Sequence, residues 1–295
     1  MDCSSARILG WILQRRGILV AALSAIIFVQ GASAQCRTED VPESGKLTAN
    51  PTRPTESYPG DPIQAGVLQV ESGWTHNWAS QDASQNSFGT MLRLGAWCNL
   101  EVRWDVVNYL SMTSPAGANS GFGDNFLGGQ YRFLRETSHR PSLSLGYTVK
   151  FPSANPANGL GSGKMDQAAT LMLGKTLHGF SILSNASYFS IGQPTGGNRA
   201  KGEATLAISH TLKGKWGVVG EIYGDSRINA ASPSYVNSTW AITYNIRPRI
   251  VLDTGSYLGL TAGPCSPGRS YFVGVTYAMG TLFHPLDPPA GRLPE

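Results

Sequence analysis

From residue 66 to residue 78 apolar and polar side chains alternate. Leu68, Val70, Trp74 and Trp78 fall on one side, and Gln69, Glu71, Thr75 and Asn77 on the other. A period of two is that of a strand with one apolar and one polar face. The pattern returns over 87–97, 100–110, 124–134, 142–151, 165–177, 180–191, 203–212, 215–225, 235–246, 249–257 and 270–283. In the third segment Leu100, Val102, Trp104 and Val106 alternate with Glu101, Arg103 and Asp105. No soluble amphipathic helix spaces charges at every second residue. The segments over 165–177 and 180–191 alternate more weakly, because Met172 interrupts the polar face of the first. Parity places Trp97 on the inward side, away from the other tryptophans.

The links sort by length. Short ones fall at 98–99, 178–179, 213–214 and 247–248, with an intermediate one at 135–140. Longer ones, rich in Gly, Ser, Asn and Pro, cover 79–86, 111–123, 152–164, 192–201, 226–234 and 259–269. Short periplasmic turns alternating with longer outer loops, and an even strand number, are features of transmembrane barrels. Closure follows because an open sheet edge has no partner in hydrocarbon. The chain is therefore read as all-β, an up-and-down antiparallel transmembrane β-barrel of about 12 strands over 65–283. Trp74, Trp78, Trp104, Trp216 and Trp240 lie near strand ends, where barrels carry aromatic girdles. A secreted β-sandwich also alternates, but its turns do not fall into two length classes.

Composition fits this picture. Charged residues make up 14% of the 295, well under the roughly 25% of soluble domains. A net charge of +4, scattered along the chain, forms no stripe for nucleic acid. No stretch approaches the roughly 20 apolar residues of a spanning helix. Residues 1–34 read as a signal peptide: Arg7, Arg15 and Arg16 precede the apolar run 18–29, and an A-x-A-like site ends at Ala34. Residues 35–64 carry Pro42, Pro51, Pro54, Pro59 and Pro62, which bar a continuous helix or central strand. They read as an extended periplasmic lead-in, with a short plug tucked into the barrel mouth as the alternative. Residues 284–295 form a Pro-rich tail. Cleavage leaves Cys36, Cys98 and Cys265, an odd number that sets no disulfide framework. Cys36 and Cys98 both fall on the periplasmic side, where unlinked thiols are expected and a bridge between them is the alternative.

By parity the lumen side carries Glu71, Arg93, Glu101, Arg103, Asp105, Asp124, Arg132, Lys150, Asp166, Glu203, Glu221 and Asp253. On the lipid side an Arg or Lys would cost about 2–4 kcal/mol at the midplane. Two readings stand. These charges guide a small solute, or they pair into a network that fills a narrow barrel. Acids outnumber bases, which favours neutral or cationic solutes. A lipid-acting hydrolase needs a nucleophile, a histidine and an orienting group in reach. His76 and His210 have outward parity, His139 lies in a turn, and neither they nor His178 and His284 assemble such a set. The glycine-rich stretch 159–163 sits in a loop without strand-to-helix context, so it is no phosphate cradle. No metal, cofactor or catalytic site is indicated, and the chain is not read as an enzyme.

One resemblance is carried by named motifs. Arg53-Pro54, Thr55-Glu56-Ser57 and the strand Gly66-Val67-Leu68-Gln69-Val70-Glu71 resemble the opening of the outer-membrane barrel family named for a meta-pathway of phenol degradation. The stretches 122–134, 150–154 and 221–227 extend the resemblance over most of the chain after Thr52. The tail beyond Phe283 departs from it. The resemblance implies a bacterial outer-membrane, transporter-like protein that passes small molecules, hydrophobic or aromatic ones among them. Its expected partners are outer-membrane lipid, the barrel insertion machinery and a small solute that remains to be identified, with no nucleic acid. A structural barrel without an open pore is the alternative, ahead of an outer-membrane enzyme.

Overall fold

The alternation produces strands wherever it was read. In the computed structural model, residues 36–43, 46–78, 83–114, 117–228, 233–261 and 268–283 are described. Residues 1–34, read above as a signal peptide, the C-terminal tail, Cys265 and His284 lie outside them. Among the described residues the strands are β1 (Val67–Trp78), β2 (Ser84–Trp97), β3 (Leu100–Ser114), β4 (Gly117–Phe122), β5 (Asn125–Leu134), β6 (Ser142–Phe151), β7 (Asp166–Leu177), β8 (Phe180–Gly192), β9 (Asn198–Thr211), β10 (Trp216–Asp225), β11 (Tyr235–Arg247), β12 (Ile250–Gly259) and β13 (Arg269–Thr281).

Apart from β4 and β5, which do not pair with each other, each strand pairs antiparallel with its sequence neighbours, and β1 pairs with both β2 and β13, which closes the sheet. β4 and β5 share one place in the wall. β4 lies along the far half of β3 and β5 along its near half. The cylinder thus has 12 strand positions, and closure satisfies the backbone without water.

The burial is inverted relative to a soluble protein. On β11 Trp240 is 61% exposed while its neighbour Thr239 is 0% exposed. Leu127, Leu145, Ile208, Ile222 and Val273 are likewise exposed, and Gln69, Arg93, Glu101, Ser144 and Thr276 are buried. A greasy exterior and a polar interior are what hydrocarbon demands. No helix among the described residues is long and apolar enough to cross a membrane.

Three local expectations are corrected. Trp97 faces outward, 46% exposed, because the β2–β3 register shifts between Gly95 and Trp97 and turns the last residue over. A second shift pairs Thr90 with Val107 but Met91 with Asp105, so Val106 sits in a bulge and Tyr109 joins Phe88 on the outer face. The stretch 111–123, expected as a loop, instead extends β3 to Ser114 and forms β4. The short turns persist. At His178-Gly179 both residues have positive φ (50° and 82°), as a two-residue hairpin turn requires.

Candidate functional site

Irregular backbone inside a barrel needs partners for every N–H it brings. Residues 36–43 and 46–66 find theirs partly within the segment and partly on the wall. Cys36 is disulfide-bonded to Cys98 in the β2–β3 turn, Cα atoms 5.2 Å apart, so the expectation of unlinked thiols fails. That spacing is ordinary for a disulfide; the two cysteines meet because the lead-in folds back on the barrel. Asp40, in a single 3-10 turn (Thr38–Asp40), accepts hydrogen bonds from Arg132 (2.6 Å) and Arg135. Burial alone would raise its carboxyl, but the bonds from Arg135, the Arg37 N–H and Arg132 outweigh burial and hold it below the usual carboxylate range. Leu47 packs on Val67 and Ala278, and the Ala49 N–H reaches the Pro248 carbonyl at 2.8 Å. Both contacts lie at the short-turn end, the periplasmic end by the rule above.

From Asn50 the chain runs inside the cylinder, so the lead-in is internal over this stretch. Asn50 exchanges two hydrogen bonds with the Gln69 amide, at 2.8 and 2.9 Å. The N–H groups of Thr52 and Arg53 and the Thr52 hydroxyl donate to Glu71. The Arg53 guanidinium crosses to Asp253 at 3.3 Å. It lies in a slot formed by Gly73 on β1 and Gly274 on β13, which face each other in register. A Cβ on either glycine would come within 2.3 Å of that guanidinium. Glu221 then receives the N–H groups of Glu56 and Ser57 (2.9 and 2.8 Å) and the Ser57 hydroxyl (2.7 Å). Asn185 pairs with the backbone of Tyr58. Gln130 and Ser144 donate to the carbonyls of Pro59 and Gly60. Asp61 meets Arg132 at 2.7 Å, and the Ile63 N–H ends on Glu101 at 2.9 Å. The segment touches strands around the whole inner wall before it leaves as β1.

The twelve lumen candidates all lie on the inner side, in groups. Glu71, Arg93 and Glu101 form one unit on β1, β2 and β3. Arg93 is fully buried and bonds both carboxylates at 2.8 Å. Arg103 lies 3.7 Å from Glu101 with its guanidinium over the Tyr58 ring, and Asp105 follows, half-buried. Arg132, Glu221 and Asp253 are taken up by the lead-in. Nearer the long loops, Lys150 sits between Asp124 (3.3 Å) and Asp166 (2.6 Å). Glu203 faces Lys201, which also holds Asp225 at 2.9 Å. Sequence reasoning missed Lys201, placed in a loop, and Asp225, which shares the parity of Glu221. It also missed Arg53, Glu56 and Asp61, whose segment has no periodicity to read. Rings enter the lumen too. Phe272 is 0% exposed, and the Tyr257 ring lies tilted beside it, centroids 4.7 Å apart. Among the described residues no cluster of ligands suits a metal ion.

A sealed cylinder, apolar outside and polar within, with an irregular segment bonded across its lumen, defines an outer-membrane β-barrel. The chain belongs to the family described as "Putative MetA-pathway of phenol degradation", whose model matches residues 52–270. It is similar in fold to an outer membrane channel from Pseudomonas putida F1, with a TM-score of 0.59 at 12% identity, over 77% of this chain and 98% of that one. The NanC porin matches with a TM-score of 0.49 at 10% identity, over 71% of this chain and 98% of the porin. No curated protein sequence matches it.

Proposed function

We propose that this outer-membrane barrel passes small molecules through the part of its lumen that the lead-in leaves free. One observation carries this reading: a cavity of about 250 Å³ persists inside the barrel between residues 50–59 and the inner wall of β8–β11. Aromatic compounds are the first solutes to try, because the family is described by phenol degradation and because Tyr257 and Phe272 place rings inside. A non-enzymatic role is supported by the histidines. His76 lies between Trp74 and Trp78 with Nδ1 at Asn86, and His210 stacks on Phe180 with Nδ1 at the Gly179 carbonyl. The apolar belt calls for bilayer lipid as a partner, and the fold for the insertion machinery; nothing in the charge pattern calls for nucleic acid.

A barrel with no open path is the second reading, favoured by how many inner charges the lead-in engages. Purified protein in planar bilayers and proteoliposomes separates the two. The transport reading expects a small steady conductance and uptake of small solutes. The absence of both would leave the structural role.

A further inference from the structure

The lead-in divides the lumen unevenly. On one side, β1, β2, β3 and β5 supply Gln69, Glu71, Arg93, Glu101 and Arg132, and all of these bond residues 40–63. On the other side, the periplasmic half of β8–β11 turns Ser181, Ala207, Ser209, Thr211, Val219 and Thr243 inward, onto the cavity. None of these six is ionisable. Two ionisable residues also line the space. Arg53 is engaged by Asp253, and the outward-facing His210 is engaged by Gly179. Among the described residues, the hydroxyls of Ser181, Ser209, Thr211 and Thr243 have no hydrogen-bond partner, whereas Gln69, Glu71, Arg93, Glu101 and Arg132 across the lumen bond the lead-in.

We propose that this uncharged strip is the solute path, and that it selects small neutral molecules bearing hydroxyl groups. The proposal rests on the transport reading and adds the route and the chemical class. An ion entering so narrow a space sheds hydration water and meets no free counter-charge, so its passage is penalised. A neutral hydroxyl exchanges its water for Ser and Thr hydroxyls, each of which donates one bond and accepts two. Ala207 and Val219 leave room for the carbon skeleton beside them.

The test compares three solutes of similar size in proteoliposomes: glycerol (neutral), lactate (anionic) and ethanolamine (cationic). Glycerol uptake at least tenfold faster than either ion is expected, and equal rates would overturn the proposal. Ala207→Phe, which fills the strip, should slow glycerol at least tenfold while the barrel keeps its heat-modifiable mobility. Ser209→Asp and Ser209→Lys place a charge on the path without bulk. Their reversal potentials in a KCl gradient should move in opposite directions, Asp towards cations and Lys towards anions. A wild type that conducts while the Ser209 variants leave the potential unchanged overturns the route and leaves transport standing. A wild type that passes nothing overturns both.

Discussion

Arg93 shows what a single side chain does in this interior. It has no exposed surface, and it stands between two carboxylates at 2.8 Å each. Removing one member of a buried charge group leaves the others uncompensated, at a cost of about 3–5 kcal/mol. Arg93→Met should therefore lower the unfolding free energy of the folded, heat-modifiable form, read from urea titration, by that order. Arg93→Lys should recover only part, because an ammonium does not fork onto two carboxylates. Asp40 gives a pH signature outside the membrane span. Its pKa is depressed on folding from an ordinary value of 3.8, so its contribution is complete above that value and is lost as pH falls through the depressed one. Docking of the arm over 36–49, followed by limited proteolysis of reduced protein, should persist at mildly acidic pH and fail only below the ordinary carboxylate range. In Asp40→Asn the arm should be equally accessible throughout.

At the scale of elements, parity is a strong guide because lipid enforces it on each strand separately. The inward set of charges followed from counting in twos, and so did the outward Leu, Ile and Val. Counting fails at a bulge, where one extra residue reverses everything beyond it. Trp97 changed sides for that reason, and Val106 left the outward row for a bulge. The lead-in was harder to place. Its prolines show that it forms no regular element, but its path depends on acceptors far away in sequence: Thr52 bonds Glu71, 19 residues on, and Ser57 bonds Glu221, 164 residues on. The Gly73–Gly274 slot is equally hidden, since two glycines among 35 gain meaning only once β1 lies beside β13. Gly274→Leu should evict Arg53 from its slot, unpair Asp253 and raise unitary conductance several-fold in planar bilayers. The outward Val273→Leu should leave conductance as in the wild type.

For the whole molecule, the disulfide makes the lead-in a closed loop, held at Cys98 by a covalent bridge and at Gly66 by the chain itself. With a sequence separation of 62 between the cysteines, loop entropy gives the bridge about 4 kcal/mol. The double variant Cys36→Ser/Cys98→Ser should keep the barrel but expose residues 36–49 to protease, and its unfolding midpoint should fall. Two features make the molecule what it is: wall residues alternate sides, and the lead-in lies inside the wall. Ser57 Oγ and Thr205 Oγ are 2.7 Å apart, and Leu206 points to the other face. In a background without native cysteines, Ser57→Cys/Thr205→Cys should cross-link spontaneously in the folded, membrane-inserted protein, and Ser57→Cys/Leu206→Cys should not. A failed cross-link at 205, or an equal one at 206, would place the lead-in outside the wall or undo the alternation.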